Sequence, residues 1–139
     1  MDINIPFKIE FLTIKVRNFQ EKKKLIKKEL KKYPEKRFES FYSNRDNNKI
    51  SGPLLEIFKE EFDRMSRYYK RLLNFYGAWS ASYDKGDYHI AHNHGSVGHA
   101  GIIYLDMHKK SPATCYLQPW NNDRDRSVIY EPPVKEGDI

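Results

Sequence analysis

The segment from Tyr83 to Gly95, YDKGDYHIAHNHG, holds three of the chain's five histidines within six residues, and two of them, His92 and His94, stand as His-x-His. On an extended strand, residues i and i+2 share a face, so these two imidazoles project together, with Tyr88 and Ile90 on their side and His89 and Asn93 opposite. Two neutral imidazoles so placed can close on one divalent metal, and imidazole suits iron, zinc, copper or nickel about equally. The competing reading of any one histidine is a ring that faces solvent or makes an ordinary hydrogen bond. That reading is adopted for His89, His99 and His108. The single cysteine, Cys115, cannot form an internal disulfide and is read as a small buried residue on a strand.

The elements that must hold the pair follow from the periodicity of the apolar residues. Residues 5–16 mix aromatic and β-branched side chains and read as an opening strand or two. Asn18 offers an N-cap with Glu21 three residues on, and Ile26, Leu30 and Tyr33 fall on one helical face before Pro34 ends the pattern. Residues 35–52 are polar, and NRDNNK and Ser51-Gly52 mark them as a loop. Pro53 then opens a second helix in which Leu55, Phe58, Phe62, Met65, Tyr69 and Leu72 recur at steps of three and four until Gly77. At 1.5 Å per residue, its roughly 22 residues make a rod of about 33 Å. Its apolar stripe is expected to pack on a sheet.

After Gly77 the texture changes to period 2. AWSASY (78–83), YHIAHNH (88–94), AGIIYLD (100–106), ATCYLQP (113–119) and SVIYEP (127–132) are candidate strands, and VKEGDI (134–139) begins another. Turns fall at DKGD, HKKSP and NNDRD. Closely spaced short strands of this kind indicate a sandwich or barrel.

The 139 residues read as one domain, with 1–77 as strand and helical support and 78–139 as a partial β-structure carrying the histidines. With 39% apolar and 14% aromatic residues the chain reads as globular rather than disordered. No apolar run reaches the roughly 18 residues that span a bilayer, and MDINIPFKIEF lacks the basic-then-apolar order of a secretory signal, so a cytoplasmic protein is expected. The net charge of +6 is concentrated early: residues 1–50 carry 14 Lys+Arg against 7 Asp+Glu, and residues 51–139 carry 11 against 12. Most of the excess is EKKKLIKKELKKYPEKR, the solvated face of a helix or, alternatively, a nucleic-acid footprint.

The order of features adds to the histidine pair. An aromatic strand ending in Tyr83, the turn KGD, His92-x-His94, a short glycine-bearing loop, GIIYL, QPW and EPPVKEGDI follow one another. Over roughly residues 76–139 this succession resembles the 2-oxoglutarate- and Fe(II)-dependent oxygenases, in particular the prolyl-hydroxylase-like group of phage and bacteria. The resemblance implies an α+β fold: N-terminal helices packed on a double-stranded β-helix of the jelly-roll or cupin kind. It implies Fe(II) and 2-oxoglutarate as cofactors, ascorbate as reductant, and hydroxylation of a protein or peptide side chain, in the host cytoplasm if phage-encoded.

By position, the resemblance makes His92 the first iron ligand. It sets His94 where most of the superfamily has Asp or Glu. Tyr104 matches a strand tyrosine that contacts the 2-oxoglutarate carboxylate, and Tyr83 matches another tyrosine near the cofactor. No separate catalytic residue is assigned. The family pattern continues with a third ligand histidine and a basic residue that pairs with the distal carboxylate, and neither follows VKEGDI here. A fragment or truncated reading frame lacking the C-terminal strands is therefore expected, with poor turnover and self-association through exposed strand edges. The rival readings are a non-catalytic, metal-binding cupin-like module and a nucleic-acid-binding protein using the basic first helix.

Overall fold

The computed structural model describes residues 10–45, 48–94, 98–117 and 129–139. An extended segment at the start pairs with the last residues of the chain. Ile14 N–H donates to the Ile139 carbonyl (2.8 Å), Ile139 N–H donates back to Ile14 (2.9 Å), and Val16 N–H donates to Gly137 (2.9 Å). Tyr104 joins the same C-terminal segment, donating to the Asp138 carbonyl (3.0 Å) and accepting from Gly137 (2.9 Å). Of the expected opening strand, the part at Ile14–Val16 is present, as a single antiparallel bridge between Lys15 and Asp138. Residues 5–9 lie outside the described residues.

Helix α1 spans Phe19–Leu30. Its single buried residue is Ile26, with Leu30 and Tyr33 packed at the edge of the core, as their spacing predicts. Asn18 is the N-cap residue, but it sits at φ 52° and its side chain makes no cap bond. Its carbonyl takes the Glu21 and Lys22 N–H groups instead (3.1 and 3.2 Å). A left-handed Asn is tolerated because its short polar side chain carries little steric penalty there.

The stretch expected to be a loop, 35–52, contains a hairpin. Strands β1 (Lys36–Phe38) and β2 (Phe41–Ser43) form a hairpin in which Phe38 pairs with Phe41 across a two-residue link. Phe41 and Ser43 are buried while Tyr42 between them is only half-buried, which is the alternation of a strand with one face inward. A 3-10 turn, Asn48–Ile50, leads directly into the next helix.

The single long rod is also two helices. Helix α2 covers Ser51–Ile57 and helix α3 covers Lys59–Tyr68, with Phe58 at the junction (φ −105°, ψ 21°). The bend coincides with two inward-facing groups: the Phe58 ring and, one turn later, the Glu61 carboxylate, both fully buried. Phe62 and Met65 are half-buried, whereas Leu72, beyond the end of α3, is 85% exposed and outside the stripe it was expected to extend. The stripe packs on α1 and on the extended segments rather than on a broad sheet; Val16, Ile26, Ile50 and Phe58 form the core, with Leu54, Phe62, Ile103 and Ile139 against it.

In the second half, regular pairing is short. Strand β3 (Ala81–Ser82) adds to the hairpin, giving an antiparallel sheet in the order β1-β2-β3. Strands β4 (Tyr116–Leu117) and β5 (Ile129–Tyr130) form a separate antiparallel pair. The candidate strands at 88–94 and 100–106 carry no regular ladder. The described residues thus make a mixed α/β molecule of helices and two small antiparallel sheets, and no jelly roll is shown among them. Two expected turns are present: Asp87 N–H bonds Asp84 O (3.0 Å) in DKGD, and Ser111 N–H bonds His108 O (2.8 Å) in HKKSP. The NNDRD turn and the QPW loop lie outside the described residues. Among the described residues no helix is long and apolar enough to cross a membrane.

Candidate functional site

The histidine segment is held against the hairpin by three contacts that begin at its turn. Arg37 on β1 makes a two-pronged pair with Asp87, Nη1 to Oδ2 and Nη2 to Oδ1, both 2.8 Å. Asp87 also accepts the Asp84 N–H (2.9 Å). The guanidinium, and then that backbone bond, hold the Asp87 carboxyl below the usual carboxylate range. One residue on, Tyr88 N–H donates to Ser40 O (3.2 Å) and Ser40 Oγ donates to Tyr88 O (2.7 Å). Residues 88–94 therefore leave the hairpin's tip from a fixed starting point.

From there the rings run in contact. His89 lies 4.4 Å from Phe41 and 4.3 Å from His92 between centroids, His92 lies 5.0 Å from His94, and His94 stacks on Trp79 at 6.4 Å. The His92–His94 and His94–Trp79 distances are in the range where tilted or offset rings attract, and the other two are slightly shorter. The three imidazoles, Trp79 and the hairpin residues Phe38 and Arg45 line an open cavity of about 500 Å³. The rings of His92 and His94 lie side by side. His89, placed opposite them by the strand alternation, is on the same cavity, because this stretch is not a regular strand and the two-residue period does not apply.

The donor atoms are partly oriented. His92 Nδ1 is 3.0 Å from the Ile90 carbonyl; in the neutral ring that bond puts the proton on Nδ1 and leaves the Nε2 lone pair for a ligand. His89 is pushed toward the neutral form, first by burial and then by the neighbouring His92. Two neutral imidazoles on one wall fit a divalent metal as donors, but no group of three His, Cys, Asp or Glu side chains converges to hold one among the described residues. Asp138 is buried in its turn, where its Oδ2 accepts the Lys135 N–H (3.1 Å). His108 Nδ1 accepts the Lys110 N–H (3.2 Å), and His99 lies tilted against Tyr69 (4.3 Å). These match the ordinary roles expected of His99 and His108.

The two tyrosines are not brought to the histidines. Tyr83 stacks on Phe41 (5.4 Å), one ring removed from His89, and burial followed by the Glu35 carboxylate raises its pKa. The Tyr104 hydroxyl accepts the Thr114 N–H (3.4 Å), away from the cavity walls. Cys115, expected to be buried, is exposed with its Sγ 3.5 Å from Glu131 Oε1. The residues that sequence reasoning missed are Phe38, Phe41 and Arg45. Their one signal is the pair of short aromatic runs KRF and FYS around Glu39-Ser40. In comparisons with known families, curated proteins and solved structures, nothing matches the chain.

Proposed function

We propose that this cavity is a metal site held by His92 and His94, in a protein of the 2-oxoglutarate- and Fe(II)-dependent oxygenase class acting on a protein or peptide side chain. The observation that supports it is the joint placement of the two imidazoles on one cavity, with His92 turned by the Ile90 carbonyl so that Nε2 is left for a ligand. In this reading the segments after Gly77 belong to a double-stranded β-helix, and the exposed β4–β5 pair is a surface for self-association. Bound Fe(II) and 2-oxoglutarate would supply the oxidising power for C–H hydroxylation. The chain's own residues orient the two donors, through Ile90 and the Arg37–Asp87 clasp, and wall the site with the rings of Phe38 and Trp79. Two protein donors would leave a bound metal weakly held and open to water, so turnover is expected to be slow, below an ordinary rate of about 1 s⁻¹.

The nucleic-acid reading gains little from the structure. Lys22, Lys23, Lys27 and Lys32 each lie against a carboxylate of the same chain, so a large part of the basic run is neutralised internally. The test of the main reading is to supply the 139-residue protein with Fe(II), ascorbate, oxygen and 2-oxoglutarate and to follow succinate. Slow succinate formation that disappears in His92→Ala supports the oxygenase. Tight metal binding with no succinate above a protein-free control would instead identify the non-catalytic, cupin-like module.

A further inference from the structure

The hairpin brings one charged side chain to the histidine cavity that neither the metal pair nor the fold requires. Arg45 follows β2, and its guanidinium carbon lies 3.2 Å from the centre of the Phe38 ring. Its backbone is fixed too: Arg45 N–H donates to Ser43 Oγ (3.1 Å), and that hydroxyl, on a buried residue, donates to the Ser80 carbonyl (2.9 Å). A guanidinium held over an aromatic face has given up much of its rotamer freedom and one side of its hydration, yet keeps a rigid fork of N–H donors.

The other arginines near this end of the chain hold carboxylates: Arg17 pairs with Glu60 (2.6 Å) and Arg37 with Asp87 (2.8 Å). Among the described residues no carboxylate lies within ion-pair distance of Arg45. Glu39, also in the cavity wall, is the opposing charge. It sits at φ 49° in the hairpin link, so its backbone is committed to the turn. In the same cavity wall the Trp79 ring lies beside His94 and offers a flat apolar face. A fork of donors, a flat cover and imidazoles in one concave site suit a small oxyanion better than a cation or a neutral chain.

We propose that the histidine cavity takes a small ligand through an oxyanion, a carboxylate or a phosphate, held by the Arg45 guanidinium over Phe38. The inference rests on this cavity being the functional site, as above, but not on the metal.

The test is calorimetric titration of the metal-free protein at low ionic strength with succinate in one arm and inorganic phosphate in the other. Wild type, Arg45→Gln, Arg45→Lys and the remote control Lys24→Gln are compared. The expected result is saturable binding of at least one anion. It should weaken about tenfold or more in Arg45→Gln and less in Arg45→Lys, which keeps the charge but loses the fork, and be unchanged in Lys24→Gln. The tighter arm names the oxyanion. Arg45 is exposed, so both variants should fold, and circular dichroism confirms it. Equal binding by Arg45→Gln and wild type, or no binding of either anion by wild type, overturns the proposal. A Co(II) titration of the same Arg45→Gln sample tests the histidine pair separately: unchanged metal binding with lost anion binding is expected. Absence of metal binding in wild type as well would remove the metal reading alone.

Discussion

The two halves of the molecule use polar groups in opposite ways. In the helical half, the charge that enters the interior is fully met. The Glu61 carboxylate, 0% exposed, takes the Arg17 N–H (3.0 Å) and the Lys22 ammonium at both oxygens (2.9 and 2.7 Å), tying α1, α3 and the extended start of the chain together. Around it Phe58, Ile26 and Ile50 are each 1% exposed or less. In the histidine half, the imidazoles meet one another and aromatic rings on an open wall, and His92 and His94 are exposed. A polar group that stabilises a fold is enclosed with its partners, and one that serves a ligand is oriented and left accessible. The same contrast separates the arginines: Arg37 clasps Asp87 to position a turn, while Arg45 is seated on a ring at the cavity.

If that contrast holds, the largest stability loss comes from the enclosed charge. Glu61→Ala leaves the Arg17 N–H unpaired and Lys22 with only the more distant Glu60 carboxylate (3.9 Å), and should cost about 3 kcal/mol. Thermal melting checks it, and a near-normal melting temperature would show that the helical half is not held by this carboxylate. Gly137→Ala comes next. Gly137 sits at φ 89°, and an added Cβ would lie 3.1 Å from the Phe19 ring, so a loss of about 1–3 kcal/mol is expected from backbone strain alone. The join between the N-terminal and C-terminal segments should loosen first, seen as faster amide exchange at Ile14 and Ile139.

Acid sharpens the comparison further. Asp106, lowered by Lys23 and then Lys27, Glu136, lowered by Lys23, and Asp87, lowered by Arg37, all have folded pKa values below their ordinary ones. Depressed carboxylates contribute stability that is fully present above the unfolded pKa of about 4 and is lost as pH falls through the folded value. Melting temperature should therefore fall slightly below about pH 6.5, where unfolded His89 takes up a proton that the folded ring resists, and more steeply below about pH 4. The contacts of Asp106 with α1 and of Asp87 with the hairpin should open together. A melting temperature with no steeper fall down to about pH 2.5 would remove these ion pairs from the account.

Much of the helical half was legible in the residues. Ile26 and Leu30 mark the inner face of α1, because helical spacing acts locally, whereas the helix ends at Leu30, short of the stop expected at Pro34. The break at Phe58 was not legible, since the apolar spacing continues across it and only the third dimension shows which ring turns inward. Nor was Glu61: a carboxylate among KEEFDR reads as solvated until its partners from residues 17 and 22 are placed beside it. The hairpin was hidden by its own link. Glu39-Ser40 lacks the Asn-Gly or Gly-containing pair that announces a two-residue turn, and Glu39 adopts φ 49° without being glycine. At the site, the i, i+2 spacing singled out His92 and His94, but it does not explain why their rings lie side by side, because 88–94 is not a regular strand. The arrival of His89, Phe41 and Arg45 was not legible, because it depends on that unannounced hairpin.

The central claim is that His92 and His94 together hold one divalent metal, and calorimetric titration of the protein with Co(II) tests it most directly. Wild type should bind one equivalent. His92→Ala and His94→Ala should each weaken binding about tenfold or more while melting within about 0.5 kcal/mol of wild type, as exposed residues outside the core do. Undiminished binding in both variants, or no saturable binding in wild type, would contradict the account.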